Sequence, residues 1–257
     1  MLDKKTKYLF MFAHPDDEVL ISGTMRQLLD QGADVEAAWV TCGEYFGNIE
    51  TRLRELARVT ALLGLKEKSV HLLRLPDLGL VSMLNQAADK VADMLKSIKP
   101  DVIFSNAYEG GHPDHDAVNF LAYEASYRAE FKPKFYEFPL YNAGGNYLYC
   151  RVRINGFPDN GIPVLHNPLN ESEIECKLRT IRTYVSQWMY MIPARLAVSR
   201  SRLASVGEPY RVCPPDRDHT ERPHEGILSY ERWVNSFMKI KFADFRKAVE
   251  HARQNRG

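Results

Sequence analysis

Two short segments combine histidine, proline and aspartate in a pattern that suits a metal ion. The first reads AHPDDE over residues 13–18, and the second reads GGHPDHD over residues 110–116. Imidazole and carboxylate ligands without cysteine fit zinc or another divalent first-row metal. Residues three apart on a helical turn face the same way. We therefore expect His14, Asp17 and His115 to bind one ion and to leave a position open, as in catalytic zinc sites.

The same motifs supply groups for acid–base chemistry. Asp16 is adjacent to Asp17 and cannot easily face the ion together with it, so we expect Asp16 to accept the proton of an attacking water molecule. His112, when protonated, can stabilise an oxyanion. We expect Glu18 to interact with the helix dipole or to orient His14. Together these groups suffice for metal-assisted hydrolysis of an amide or an ester.

The elements that must position these motifs alternate between strand and helix. The strands are expected at residues 8–13, 35–41, 70–73, 101–105 and 135–138, and the helices at 19–30, 51–63, 82–99 and 114–129. This alternation predicts a doubly wound α/β fold with a mainly parallel sheet of order 3-2-1-4-5. The motifs follow strands 1 and 4, which are neighbours in that order. They should therefore meet at the crevice where such sheets bind ligands.

Each motif also has a purely structural interpretation. A single His-Pro-Asp segment is more often a turn with a helix cap than a site. Two such segments at neighbouring strand ends favour a site instead. A nucleotide-binding domain is disfavoured, because strand 1 is not followed by G-x-G-x-x-G and the chain contains no G-x-x-x-x-G-K-[ST].

The second part of the chain has a looser pattern. Beyond residue 139, Tyr, Gly, Asn and Pro become frequent. We expect residues 140–228 to form loops and short strands at the edge and mouth of the sheet, with clear helices over about 171–188 and 229–250. No segment resembles a linker. Residues 1–257 are therefore expected to form one domain, with a core over about 7–139 and a loop-rich, helical elaboration over about 140–257.

The composition is that of an ordinary globular protein. The 257 residues include 34 Lys and Arg against 33 Asp and Glu, and 45% are hydrophobic. This excludes intrinsic disorder and gives no support to a nucleic-acid partner. Because no apolar stretch could span a bilayer, we expect no membrane partner and a cytoplasmic location, with a homo-oligomer left open. The widely spaced cysteines are expected to be reduced thiols: Cys42, Cys150, Cys176 and Cys213.

The two motifs resemble those of the PIG-L/LmbE-like family of zinc-dependent de-N-acetylases. LLG at residues 62–64 and SQ at residues 186–187 support the resemblance, which extends over about residues 7–130 and more weakly to 188. It implies a Rossmann-like fold, one zinc ion and removal of an N-acetyl group from an amino sugar. It also implies roles for five residues, with zinc ligands His14, Asp17 and His115, a base at Asp16, and a charge-stabilising histidine at His112.

Weaker candidates for substrate binding lie outside the motifs. Family members use a glutamate and an arginine near strand 2, which match Glu44 and Arg52; helix-terminus electrostatics explains both equally well. Asp77 follows strand 3 and can accept hydrogen bonds from a sugar, or serve only as a turn residue. Some members bring a distant histidine to the site, a role open to His224 or His219, although most surface histidines have none.

Aromatic residues around a Gly-Gly turn add one more candidate surface. Tyr141 and Tyr147 can stack on a pyranose ring, although aromatic residues at this density more often form core or interface.

The expected function is zinc-dependent N-deacetylation, an amidohydrolase reaction on a linear amide. The substrate is expected to be an N-acetylhexosamine-containing small molecule or glycoconjugate. One alternative is a catalytically silent sugar-binding protein on the same fold, which the intact motif residues disfavour. Another is an Fe(II) oxygenase with two histidines and one carboxylate, which the doubly wound pattern disfavours.

Overall fold

The centre of the molecule is a twisted β-sheet. The computed structural model describes residues 2–45, 47–147, 152–232 and 240–256, without the side chains of residues 145–147. The strands are β1 (Lys7–Phe12), β2 (Asp34–Thr41), β3 (Val70–Leu75), β4 (Val102–Asn106), β5 (Lys134–Phe138), β6 (Tyr141–Tyr147), β7 (Val152–Ile154), β8 (Leu165–Asn167) and β9 (Glu208–Val212). Within these residues, seven strands form one sheet of order β3-β2-β1-β4-β5-β9-β8, and β6 pairs with β7.

Helices cover both faces of the sheet. They are α1 (Ser22–Asp30), α2 (Ile49–Leu63), α3 (Leu84–Ile98), α4 (Pro113–Arg128), α5 (Glu171–Thr183), α6 (Trp188–Ala197), α7 (Arg200–Val206), α8 (Ser229–Arg232) and α9 (Phe242–Gln254). Apolar residues of α1, α2 and α5 pack on one face, and those of α3, α4 and α9 pack on the other.

The first five strands are parallel and follow the predicted order. β1 lies at the centre, paired with β2 on one side and β4 on the other. Its apolar run is buried on both sides, because Phe10 and Phe12 belong to one core while Leu9 and Met11 belong to the other. Continuous apolar strands are typical of parallel sheets covered by helices on both faces. The doubly wound α/β fold is therefore confirmed.

The loops that carry the motifs leave the sheet side by side. Tyr8 pairs with Val102 and Met11 with Ser105, so β1 and β4 run in register to the same edge. A hydrogen bond of 2.9 Å from the amide of Ala13 to Asn106 Oδ1 joins the two chain segments where they leave the sheet.

Several element boundaries differ from the sequence-based expectation. α1 begins at Ser22, because the chain first makes a 3-10 turn over Asp17–Leu20. The helix expected over 171–188 ends at Thr183, and a new helix, α6, starts at Trp188. The helix expected over 229–250 is interrupted, since residues 240 and 241 are not helical; residues 233–239 lie outside the described part.

The expectation of loops and short strands over 140–228 missed α6 and α7. α6 has apolar residues on its exposed side as well as its buried side, so it shows no helical period; Trp188, Met189 and Leu196 are exposed whereas Met191 and Ala194 are buried. Pro193 inside the helix also argues against a helix when only the sequence is considered.

Two further observations concern membranes and cysteines. Within the described residues, no helix is both long and apolar enough to cross a bilayer. Cys42, Cys176 and Cys213 are buried free thiols, and Cys150 lies outside the described residues.

Candidate active site

The two His-Pro-Asp loops face each other across one cavity of about 150 Å³. Both motifs contribute to its walls, together with Arg52, Asp77 and apolar side chains from Leu140 and from α6. In the structure, the two loops therefore meet at the carboxyl ends of β1 and β4, as predicted.

Three imidazole rings form the floor of this cavity. Ligand nitrogens of His14, His112 and His115 lie within 4.8 Å of one another, and all three residues are buried. His112 also caps α4, because its Nδ1 accepts a hydrogen bond of 3.1 Å from the amide of Asp114. Nδ1 is therefore unprotonated, and Nε2 is the nitrogen left to interact with a ligand.

Asp17 joins the imidazoles as expected. Its Oδ1 lies 3.2 Å from His115 Nε2, and its Oδ2 lies 3.8 Å from His14 Nδ1. Burial alone would raise the pKa of Asp17, but His115 and His14 hold it well below the ordinary value. Oδ2 accepts hydrogen bonds from the amide of His14 at 2.9 Å and from Asn106 Nδ2 at 3.0 Å. Asp17 is thus an ionised carboxylate in a fixed orientation.

Two further carboxylates lie on the other side of His14. Its Nε2 is 3.0 Å from Asp77 Oδ1 and 3.5 Å from Asp114 Oδ2. Burial alone would lower the pKa of His14, but Asp77 and Asp114 raise it well above the ordinary value. Burial would likewise raise the pKa of Asp77, but His14 lowers it to about 2. Asp77, expected to contact a sugar, therefore touches an imidazole of the floor.

The donor set fits a divalent cation. Within the described residues, two groups of side chains bring their ligand atoms within 4.8 Å of one another, one formed by the three imidazoles and one by His14 with Asp77 and Asp114. Because His14 Nε2 lies 3.0 Å from Asp77 Oδ1, Nδ1 is the nitrogen of His14 on the side of Asp17. Clustered nitrogen and oxygen atoms of this kind suit zinc and other first-row metals.

Asp16 lies at the rim of the same cavity in an unusual backbone conformation. Its φ is 113°, which a side chain-bearing residue rarely adopts. Its Oδ2 accepts a hydrogen bond of 3.1 Å from Arg52 Nη1. Burial raises the pKa of Asp16, and the Arg52 guanidinium opposes that rise. Position 43, beside this pair, requires glycine, because φ of Gly43 is 65° and a Cβ there would lie 2.4 Å from Arg52 Nη2.

The remaining predicted residues have different positions. Arg52 lines the cavity, whereas Glu44 is exposed and accepts a hydrogen bond of 2.9 Å from the amide of Asp77. His224 does not line the cavity; its Nδ1 lies 2.7 Å from Glu225 O. Buried His219 contacts Asn119 Oδ1 at 2.9 Å through Nε2. Glu44 therefore contacts the loop that carries Asp77, and neither His219 nor His224 lines the cavity.

Tyr141 takes the position expected of a rim aromatic. It lines the cavity, and its ring centroid lies 5.5 Å from that of His115. The side chain of Tyr147 lies outside the described part of the structure. Sequence reasoning missed Asn106, although a polar residue at the carboxyl end of β4 is a usable signal. It also missed Met191 and Ala194, whose helix was not predicted.

Comparison with known proteins bears on this arrangement. Residues 9–126 match the family model described as PIG-L: GlcNAc-PI de-N-acetylase. This segment is similar to that family, and we call residues 9–126 the PIG-L-like segment. Both motifs lie within the PIG-L-like segment, whereas Tyr141 and α6 lie beyond it.

Curated relatives of this chain are named as deacetylases. The 1D-myo-inositol 2-acetamido-2-deoxy-alpha-D-glucopyranoside deacetylase of Segniliparus rotundus is 32% identical over 155 residues, which cover 46% of this chain and 49% of the relative. Diacetylchitobiose deacetylase of Thermococcus kodakarensis is 28% identical over 200 residues, 71% of this chain and 70% of the relative. The chain thus spans about half the length of the first of these relatives.

A solved structure shares the fold. A deacetylase triple mutant of the teicoplanin biosynthetic pathway superposes with a TM-score of 0.61 at 17% identity, covering 80% of this chain and 97% of that one. The likeness extends past the PIG-L-like segment and confirms the Rossmann-like architecture.

Proposed function

We propose that the protein is a metal-dependent hydrolase that removes the N-acetyl group from an N-acetylhexosamine-containing small molecule or glycoconjugate. One observation carries the proposal: three imidazoles and the Asp17 carboxylate meet in a cavity whose rim holds a second carboxylate, Asp16. The names of the two relatives support the choice of bond, since they describe deacetylases of acetylated amino sugars.

We propose zinc as the metal, with His14, Asp17 and His115 as its ligands. Zinc bound in such a site polarises a carbonyl group and makes a water molecule more acidic. The Asp17 carboxylate supplies the negative charge that the neutral imidazoles lack. Its hydrogen bonds to the amide of His14 and to Asn106 fix its orientation before any ion binds.

Asp16 is proposed as the general base. Asp16 lines the cavity, its Oδ2 accepts a hydrogen bond from the Arg52 guanidinium, and the other oxygen accepts no hydrogen bond within the described residues. Burial raises the pKa of Asp16, which makes the carboxylate a better proton acceptor than one in water. The proton that Asp16 takes from the attacking water is later returned to the leaving amine.

His112 is proposed to stabilise the oxyanion that forms on the acetyl carbonyl. Burial and the neighbouring imidazoles lower the pKa of His112 well below its ordinary value. Because Nδ1 accepts the Asp114 amide hydrogen bond, the neutral ring carries its proton on Nε2. A neutral His112 can therefore donate a hydrogen bond to the oxyanion without being charged.

The cavity walls suggest how a sugar is held. Arg52 is a cation at the rim, and Tyr141 presents an aromatic ring next to the imidazoles. Leu140 and Met191 give an apolar wall for the acetyl methyl group or a pyranose face.

We further propose that residues 1–257 form one domain, that the protein is cytoplasmic and that its partner is a small amino-sugar conjugate. The structure leaves a homo-oligomer open.

Acetate release tests this function. Zinc-loaded protein should release acetate from at least one member of a panel of N-acetylhexosamine glycosides, nucleotide sugars and chitooligosaccharides. Asp16→Asn should lower kcat by about 100-fold or more, since general acid–base catalysis contributes that much. Asp93→Asn is the control, because Asp93 has a side chain that is 78% exposed. Sugar binding without any acetate release would favour the silent protein, and oxygen uptake with Fe(II) would favour the oxygenase.

A further inference from the structure

A buried carboxylate behind the rim of the cavity receives three hydrogen bonds. Glu18 is fully buried. Its Oε2 accepts from the amide of Asp16 at 3.0 Å and from Trp39 Nε1 at 3.1 Å. Its Oε1 accepts from the hydroxyl of Tyr184, which is 1% exposed. Glu18 lies in the first turn of the 3-10 segment Asp17–Leu20, where an interaction with the helix dipole is expected, and within the described residues no hydrogen bond joins its side chain to His14.

The contact with Asp16 holds one particular peptide group. The amide of Asp16 and the carbonyl of Pro15 belong to the same peptide unit. Glu18 accepts from its N–H, and Arg52 Nη2 donates to its C=O at 2.5 Å. The unit is thus held at both ends. Its orientation sets the direction of the Asp16 side chain, and φ of 113° is a conformation that persists only when the surroundings fix it.

The third donor comes from outside the PIG-L-like segment. Tyr184 follows α5, in the 3-10 junction that leads into α6. This junction is tied to α2, because Glu55 accepts hydrogen bonds from the amide of Ser186 at 2.8 Å and from its hydroxyl at 2.6 Å. A residue in so fixed a segment can hold Glu18 in place.

We propose that Glu18 and Tyr184 are positioning residues that orient the general base Asp16 through the Pro15–Asp16 peptide, an inference that rests on the proposed function. The C-terminal part of the chain then completes the catalytic geometry of the PIG-L-like segment. Neither Glu18 nor Tyr184 lines the cavity.

Tyr184→Phe tests the proposal with one hydroxyl removed. We expect kcat to fall about 10-fold, with KM and the zinc dissociation constant within about 2-fold of wild type, because Asp16 moves and the ligands do not. Tyr8→Phe is the matched control. Tyr8 is also buried, and its hydroxyl contacts Asp3 far from the cavity, so kcat should not change.

Glu18 variants supply a second arm. Glu18→Gln keeps an oxygen for the Asp16 and Trp39 donors, and its NH2 can donate to the hydroxyl of Tyr184, so kcat should stay within about 3-fold. Adding Tyr184→Phe leaves that NH2 without a partner, and the double variant should lose more activity than Tyr184→Phe alone.

Hydrogen exchange gives a readout that needs no turnover. The amide of Asp16 should exchange at least 10-fold faster in Tyr184→Phe than in wild type or Tyr8→Phe. Unchanged exchange and unchanged kcat would overturn the proposal, as would a loss confined to KM or to zinc affinity. If the wild type released no acetate, the proposed function would fail, while the exchange rates would still decide whether Tyr184 fixes the Asp16 peptide.

Discussion

At the scale of single residues, carboxylates approach both ring nitrogens of His14. Asp77 and Asp114 approach its Nε2 on one side, and Asp17 approaches Nδ1 on the other. A carboxylate that accepts from the far nitrogen of a metal-binding imidazole fixes the ring and raises its basicity. We therefore propose that Asp77 supports metal binding through His14, a role that its position after β3 does not reveal.

Asp77→Asn is expected to weaken zinc binding by about 10- to 100-fold, because the neutral amide holds His14 less firmly. Competition with a chromogenic chelator measures this directly. Asp93→Asn should bind zinc as the wild type does. Equal zinc affinity in Asp77→Asn and wild type would show that Asp77 acts elsewhere, for example on the substrate.

At the scale of elements, a buried ion pair joins α5 and β9 to the start of α1. Lys177 Nζ lies 2.6 Å from Glu208 Oε1, and both side chains are fully buried. Glu208 also accepts from the amides of Gly23 at 3.0 Å and Thr24 at 2.6 Å. The pair thus supports the helix that follows the first motif.

Lys177→Met should lower the free energy of unfolding by about 3–5 kcal/mol, since it leaves a buried carboxylate without its cation. Urea denaturation measures the loss. The double variant Lys177→Met, Glu208→Gln should recover part of it, because the uncompensated charge is gone. A double variant no more stable than the single one would contradict this explanation.

The second motif also depends on close packing between elements. A Cβ on Gly111 would lie 2.0 Å from the carbonyl oxygen of Tyr141 in β6. Gly111→Ala must therefore displace the His112 loop or β6, and we expect kcat/KM to fall about 100-fold. In the control Gly156→Ala, the new Cβ meets only the flexible Arg153 side chain, at 3.1 Å. Wild-type kcat/KM in Gly111→Ala would show that the loop tolerates the shift.

Sequence periodicity was sufficient for the elements that form the parallel core. β1 and β4 are buried apolar runs, and their neighbouring positions in the sheet placed both motifs at one edge. Periodicity did not predict α6, because its exposed face is apolar as well. No local pattern could predict the contact between Tyr184 and Glu18, which lie 166 positions apart in the sequence. Contacts of that kind depend on the finished packing and not on neighbouring residues.

At the scale of the whole molecule, a buried charge cluster joins the parallel core to the C-terminal part. Glu137 on β5 is fully buried and pairs with Arg211 on β9 and with Arg217 Nη2 at 2.9 Å. Burial alone would raise the pKa of Glu137, but the two arginines lower it to about 2. A carboxyl group whose pKa is lowered by folding stabilises the folded state at pH values above its pKa in the unfolded chain, about 4.3. This contribution is lost as the pH falls towards the pKa of the folded state, about 2.

Glu137→Gln should therefore be less stable than wild type at pH 7, and the gap should close as the pH falls from about 5 to about 2. Urea midpoints of both proteins across this range give the comparison. Closure occurs because protonated glutamic acid and glutamine are both neutral. A gap that stays constant with pH would mean that packing, and not charge, distinguishes the two proteins.

Anomalous X-ray diffraction from crystals grown with zinc tests most directly whether two distant loops form one metal site. We expect a single strong peak in the cavity, about 2.0–2.3 Å from ligand atoms of His14, Asp17 and His115. A peak held instead by Asp77 and Asp114, or no peak in the cavity at saturating zinc, would contradict the proposed active site.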